Sequence, residues 1–314
     1  MPHPPDPTPH HPSRDHFTLG CVSYLNSKPL IDPLIGRADV DVKFAVPSGL
    51  LPMIEAPLET GEEKGSMGGV EGVLLPVVDY HASRRELVIL PAGCIGCDGP
   101  TLTVRIYSQV PPAQIKTLYG DADSHTSVIL AQLILRQRYG THPSMESWSP
   151  PSTSHPATSL PQSFLLIGDK VVNAAPPAAA YPYQLDLGEE WHQLTGLPFV
   201  FAVWMARAEL PPARQQTLCT LLANARARGA TMTESLLDKY VAEKHWPRDL
   251  AHRYFTEYLK YAWNDRMAAG LAQFYQLAQA EGLLNVHRAL RYVTGSSGFS
   301  VLPKPRAWPG VPLE

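Results

Sequence analysis

The stretch Gly20-Cys-Val-Ser-Tyr-Leu-Asn-Ser-Lys-Pro29 runs out of a short apolar segment, through a polar loop, into a helix that starts under a proline. Residues 17–22 read as a β-strand. Asn26 and Ser27 carry short polar side chains suited to capping the helix that follows, and Pro29 suits its first turn. In an open α/β sheet, ligands bind just outside the carboxyl ends of strands, where loops and helix N-termini converge. Asn26 is therefore the first candidate site residue, with Ser27 beside it, although capping alone would account for either one.

Outward from this stretch, strands and helices alternate. Residues 40–46, 72–78, 86–91, 101–107, 163–167 and 197–205 read as strands, and the continuous apolar run at 72–78 is typical of a strand buried on both faces. The pattern predicts an α/β protein with mainly parallel pairing. Along 101–107, strict alternation puts Thr101, Thr103, Arg105 and Tyr107 on one face. Strand propensity accounts for Thr101, and a solvated strand arginine for Arg105. A helix over 124–139 is clear from its apolar residues. Its beginning is crowded with Asp121, Asp123, Ser124, His125, Thr126 and Ser127, and a helix N-terminus rich in hydroxyls suits an anion because its first N–H groups are unpaired. Asp169 reads as the N-cap of a further helix after Gly168. The C-terminal third carries three apolar stripes at helical spacing. One of them is Tyr254, Phe255, Tyr258 and Leu259, which reads as core.

Four stretches in order resemble the chorismate dehydratase family of the futalosine route to menaquinone: Val22-Ser-Tyr-Leu-Asn-Ser-Lys-Pro-Leu30, Cys97-Asp-Gly-Pro-Thr-Leu-Thr-Val104, Ser124-His-Thr-Ser-Val128, and the pair Leu165-Leu-Ile-Gly-Asp169 with Asp186-Leu-Gly-Glu-Glu-Trp191 running on to Trp204. The resemblance covers residues 17–207 and is carried by the ordered set rather than by any single piece. It implies a two-lobed fold like the type II periplasmic binding proteins, with a ligand cleft between lobes and extra C-terminal helices. Residues 16–103 and 202–294 would form lobe one and residues 104–201 lobe two, between tails at 1–15 and 295–314. The resemblance assigns the small hydroxyl of Thr103 to the substrate site beside Asn26 and puts the Gly168-Asp169 turn at the cleft; Pro76 and Val77, in the strand-end loop after the 72–78 run, and Thr101, on the alternating polar face, are further candidates to line it. Relatives commonly carry serine where this chain has Val77, which removes a donor there.

Bulk properties set the remaining bounds. The chain has 314 residues, of which 44% are hydrophobic, and a formal net charge of −3. That is enough for a large core, and it provides no basic field for nucleic acid. The 32 prolines, about twice the usual share of roughly 5%, gather in tails and loops. Residues 1–15 are rich in Pro and His and read as disordered, and 55–69 and 141–162 read as surface insertions. No secretory or lipid-anchor pattern opens the sequence and no apolar run reaches membrane-span length, so the expectation is a cytoplasmic protein that binds neither membrane nor nucleic acid. The four cysteines, Cys21, Cys94, Cys97 and Cys219, are expected to be free thiols. Both monomer and homodimer remain open.

No phosphate-cradling, dinucleotide or nucleophile-elbow motif is present, and Cys94-Ile-Gly-Cys97 lacks a second pair at zinc spacing. Neither a metal nor a cofactor is expected; the partner expected is a small-molecule substrate, chorismate. The reaction implied by the resemblance is loss of water from chorismate to give 3-(1-carboxyvinyloxy)benzoate. Asn26, Thr103 and Thr126 are poor proton acceptors near neutral pH. The expectation is therefore that the enolpyruvyl carboxylate of the substrate takes the ring proton, with His125 as the competing base. Two alternatives are a small-anion sensor of the same fold and the later enzyme of the route, which makes 1,4-dihydroxy-6-naphthoate. The opening motif of that enzyme resembles Ser-Pro-Cys-Pro-Asn-Asp, whereas this chain has Ser-Tyr-Leu-Asn-Ser-Lys-Pro.

Overall fold

The computed structural model describes residues 16–58, 69–150 and 160–293. The expectations for 1–15, for most of the insertion at 55–69, for the middle of 141–162 and for the tail from 295 lie outside the described residues. In chain order the elements are β1 (Phe17–Cys21), α1 (Lys28–Ile31), β2 (Val40–Phe44), α2 (Pro47–Glu55), β3 (Gly72–Pro76), α3 (Asp79–Ala82), β4 (Leu87–Cys97), β5 (Val104–Ser108), β6 (Thr117–Asp121), α4 (Thr126–Tyr139), β7 (Ser144–Trp148), β8 (Ser163–Ile167), α5 (Lys170–Asn173), β9 (Tyr183–Asp186), α6 (Leu187–Thr195) and β10 (Phe199–Arg207). Then follow α7 (Pro212–Gly229), α8 (Thr233–Tyr240), α9 (Arg248–Arg253) with a π-helical turn over Tyr254–Tyr258, β11 (Leu259–Lys260) and α10 (Asp265–Ala280).

These strands form two sheets, β11-β4-β10-β3-β1-β2 and β7-β6-β8-β5-β9. Pairing is mixed rather than mainly parallel. β1 runs parallel to β2 and β3, and β6 to β7 and β8, while β10 is antiparallel to β3 and β4, β11 to β4, and β5 to β8 and β9. The chain leaves the first sheet after β4 and returns as β10, which pairs with β4 from Phe199 onward. Both crossings therefore lie where the sheets approach each other. One core cluster spans the two sheets and the C-terminal helices, and fully buried Trp191, Trp204, Phe199 and Phe274 are among its largest members.

Three local differences from the sequence pattern have clear causes. β4 continues through Pro91 to Cys97, because its ladder with β10 jumps from Ile89 to Cys94 and the proline sits in that irregularity, where its missing N–H costs no bond. Residues 101–103 are loop rather than strand. The Asp186 carboxylate accepts the backbone N–H groups of Thr101 at 2.9 Å and Leu102 at 2.8 Å, holding Leu102 in a left-handed conformation with φ 69°. Ser27 caps nothing; its hydroxyl donates within the loop, with Val22 O at 2.8 Å and Tyr24 O at 3.0 Å. All four cysteines are free and buried, as expected. Among the described residues no helix is long and apolar enough to cross a membrane.

Candidate functional site

The loop after β1, the loop before β5 and the start of α4 converge on one cavity between the sheets. Of the residues singled out from sequence, Asn26, Pro76, Thr101, Thr103, Ser124, His125, Thr126, Ser127 and Gly168 line it, together with Tyr24, Tyr254 and an apolar wall that includes Leu74, Ile95 and Phe201. Ser27, Val77 and Asp169 do not line it.

Each of these three has structural work elsewhere. Ser27 braces its own loop, as above. Val77 is fully buried; its N–H donates to Phe201 O and its carbonyl accepts from the Tyr275 hydroxyl at 2.5 Å. Asp169 precedes α5 but its carboxylate makes no cap bond. Instead its Oδ1 accepts from Leu25 N at 3.3 Å and from Trp246 Nε1 at 3.1 Å, so it joins the second sheet to the β1 loop and to the C-terminal helices. Burial pushes this carboxyl up from its ordinary range, and those two donors pull it partly back.

The walls present mostly uncharged polar groups. Thr103 Oγ1 lies 2.5 Å from the Tyr254 hydroxyl, and Tyr254 is buried and stacked on Trp246 with ring centroids 4.8 Å apart. Burial drives the phenol far above its ordinary range, so it stays protonated. Asn26 Oδ1 and Thr126 Oγ1 are buried without a protein partner. Such atoms are costly unless a ligand or water completes them. At the start of α4, Ser124 Oγ accepts the Ser127 N–H at 3.2 Å, a capping bond that satisfies one of the helix's first N–H groups. The left-handed Gly168, at φ 60°, faces Tyr24, whose ring would lie 3.1 Å from any Cβ placed there.

Among the described residues, charged groups surround this cavity without lining it, His125 excepted. Lys170 bridges Asp121 at 2.6 Å and Asp123 at 2.7 Å, and the Tyr24 hydroxyl reaches Asp123 at 3.4 Å. Asp79 bonds His125. Three contributors escaped the sequence pattern. Tyr254 stands in a stripe that reads as core, Asp79 follows an apolar run, and Tyr24 was quoted within a motif without being assigned a contact. Among the described residues no group of three or more His, Cys, Asp or Glu side chains could hold a metal ion.

Known proteins agree with this architecture. The sequence profile of a family described as menaquinone biosynthesis matches residues 17–280. A chorismate dehydratase from Thermus thermophilus is 27% identical over 228 residues, covering 68% of this chain and 77% of that protein. Among solved structures, a protein from Archaeoglobus fulgidus superposes with TM-score 0.63 at 13% identity, covering 87% of this chain and 100% of the other. A Candida albicans protein described as having the generic periplasmic binding protein fold gives 0.57 at 9% identity over 87% and 92%. The periplasmic aliphatic sulphonate binding protein of Escherichia coli gives 0.53 at 15% over 87% and 89%. At these identities the structural likeness establishes fold alone, and that fold is the two-lobed, periplasmic-binding-protein-like one.

Proposed function

The chain belongs to the menaquinone biosynthesis family, and we propose that within it this protein is a chorismate dehydratase, a hydro-lyase that converts chorismate to 3-(1-carboxyvinyloxy)benzoate and water. The observation that carries this reading is the pair of orphaned polar atoms, Asn26 Oδ1 and Thr126 Oγ1, facing a cavity otherwise walled by hydroxyls and apolar side chains. Chorismate offers what such a wall lacks: two carboxylates, a ring hydroxyl and an apolar ring.

In the reaction the C3–H bond breaks, its electron pair forms the new ring double bond, and the C4–O bond breaks. The proton and the departing hydroxide leave together as water, and aromatisation supplies the driving force. Among the described residues no carboxylate lines the cavity to act as base. We assign that task to the enolpyruvyl carboxylate of the substrate, held over C3 by the cavity walls. Asn26 and Thr103 are assigned to the leaving hydroxyl and to that carboxylate, Thr103 itself being oriented by Tyr254. The α4 N-terminus, with Ser124, Thr126 and Ser127, is assigned to the second carboxylate. Holding the reacting groups in this arrangement can supply a large part of the barrier reduction.

The test is to incubate the purified protein with chorismate, without added metal or nucleotide, and to follow the product by mass and aromatic absorbance. A product lighter by one water that keeps the enolpyruvyl arm is expected. Tight binding of chorismate with no turnover would instead favour a small-anion binding protein of this fold.

A further inference from the structure

His125 stands at the start of α4, on the second-sheet side of the cavity, and Asp79 opens α3, directly after the first-sheet strand β3. Their side chains meet across the space between the sheets, His125 Nδ1 lying 2.7 Å from Asp79 Oδ1. Asp79 is only 2% exposed and does not line the cavity, whereas His125 does. An ionised carboxylate only accepts hydrogen bonds, so Nδ1 carries the proton and Nε2 is the ring nitrogen left for a ligand. Among the described residues no Lys, Arg, Asp or Glu lines the cavity, and His125 is therefore the one described lining side chain able to carry a positive charge. Thr126, next in sequence, presents its orphaned hydroxyl to the same space.

We propose that His125 is the cationic anchor for one carboxylate of a dicarboxylate ligand, its Nε2–H donating to that group, and that Asp79 is the positioning residue that fixes the ring and holds the charge. The identity of the ligand rests on the chorismate reading; the anchor itself requires only an anionic ligand. This role differs from that of a base, because a protonated imidazole donates and cannot take the C3 proton. It also makes the contact between the two halves part of recognition, since the imidazole is aimed from one half by a carboxylate in the other.

The groups around the pair favour this charge state. Asp79 holds the His125 imidazole above its ordinary range against the opposing effect of burial. Burial in turn pushes the Asp79 carboxyl up, His125 pulls it down, and Glu55 on α2 adds a small upward push. Asp121 and Asp123, just before α4, are both bridged by Lys170. A bound carboxylate would add a further negative charge and hold the imidazolium more firmly.

The test measures calorimetric affinity for 3-(1-carboxyvinyloxy)benzoate from pH 5.5 to 9, alongside chorismate kinetics, for the wild type, His125→Gln and Asp79→Asn. Wild-type affinity is expected to fall as pH rises through the imidazole titration. His125→Gln should bind about 10- to 100-fold more weakly at low pH, the worth of one hydrogen bond to a charged group, and lose the pH dependence. Its KM should rise likewise, with kcat within about threefold, a far smaller loss than general-base removal gives. Asp79→Asn should move the midpoint to lower pH. His125 has a side chain 36% exposed, so its replacement should fold even if the Asp79 variant does not. The anchor is overturned if His125→Gln binds as the wild type does at every pH, or if it loses kcat with KM and affinity unchanged. Unmoved pH dependence in a folded Asp79→Asn overturns the positioning role. A wild type that binds the dicarboxylate in this pH-dependent way without converting chorismate would sink the dehydratase reading and leave the anchor standing. Turnover with pH-independent affinity would do the reverse, and neither binding nor turnover would overturn both.

Discussion

The hydroxyls of Thr103 and Tyr254 lie 2.5 Å apart, joining the point where the chain crosses between sheets to the π-helical turn that follows α9. Because burial keeps the phenol protonated, Tyr254 is available to donate to Thr103 Oγ1, leaving the threonine proton for a ligand. Tyr254→Phe keeps the stack on Trp246 and removes this bond together with the hydroxyl's bond to the Asn26 side chain. The expected result is a kcat lower by at least about tenfold, the size of one such hydrogen bond, with KM little changed. Steady-state kinetics with chorismate measure it, and Thr103→Ala should cost at least as much.

Asn26 and Ser27 are neighbours with opposite accounts. Asn26 Oδ1 is buried without a partner while the same side chain bonds the Tyr254 hydroxyl, so Asn26→Ala removes an orphaned acceptor together with one bond, and its melting temperature should stay near the wild-type value while turnover falls about 100-fold or more. Ser27 makes two bonds that close its loop. Ser27→Ala should therefore lower stability by about 1–2 kcal/mol, with part of its activity loss recovered on cooling. Paired thermal melts and rates separate the two.

Much of this site was legible from residues because local chemistry and local structure coincide there. The strand-to-loop switch at Gly20–Pro29 places Asn26, and the apolar periodicity of 128–135 fixes the helix that Ser124 caps. Other contributors depend on groups far away in sequence. Thr101 and Thr103 alternate like strand residues, but the Asp186 carboxylate turns that segment into a left-handed loop, and both threonines still face the cavity. Tyr254 has core spacing, and only the π-helical turn and Trp246 bring its hydroxyl to Thr103. Asp169 looks like a helix cap because it sits where caps sit, yet its partners are Leu25 and Trp246. Periodicity reports which side of an element is buried; it does not report what a buried polar atom meets.

Asp169 gives an unusual pH signature. Its carboxyl is pushed up in the folded state, chiefly by burial. A carboxyl with a raised folded value contributes its stability fully below the unfolded value, near pH 4, and loses it as pH rises through the folded one. Asp169→Asn does not titrate. Relative to the wild type, it should therefore be more destabilised at pH 4 than at pH 7.5. Denaturant unfolding of both proteins at the two pH values checks this, and a variant that is worse at pH 7.5 would mean that the ionised carboxylate is favoured by its two donors.

Gly229 ends α7 against the start of α1, where an added Cβ would sit 1.7 Å from the carbonyl oxygen of Pro29. That atom is backbone, so the methyl group cannot be accommodated by a rotamer change; α1 or the end of α7 has to move. Overpacking of this kind costs about 1–3 kcal/mol, and Gly229→Ala should melt several degrees below the wild type. The displacement should also reach the site, because Pro29 is three residues from Asn26 and on the same short loop and helix. A loss of kcat/KM greater than the loss of folded protein is expected, measured at a temperature where both proteins remain folded. Gly36→Ala is the control: it is left-handed at φ 80° with nothing within 4 Å of a new Cβ, so it should cost about 1–2 kcal/mol of backbone strain and leave kcat/KM unchanged. If Gly229→Ala lowered stability alone, the packing of α7 on α1 would be independent of the position of Asn26.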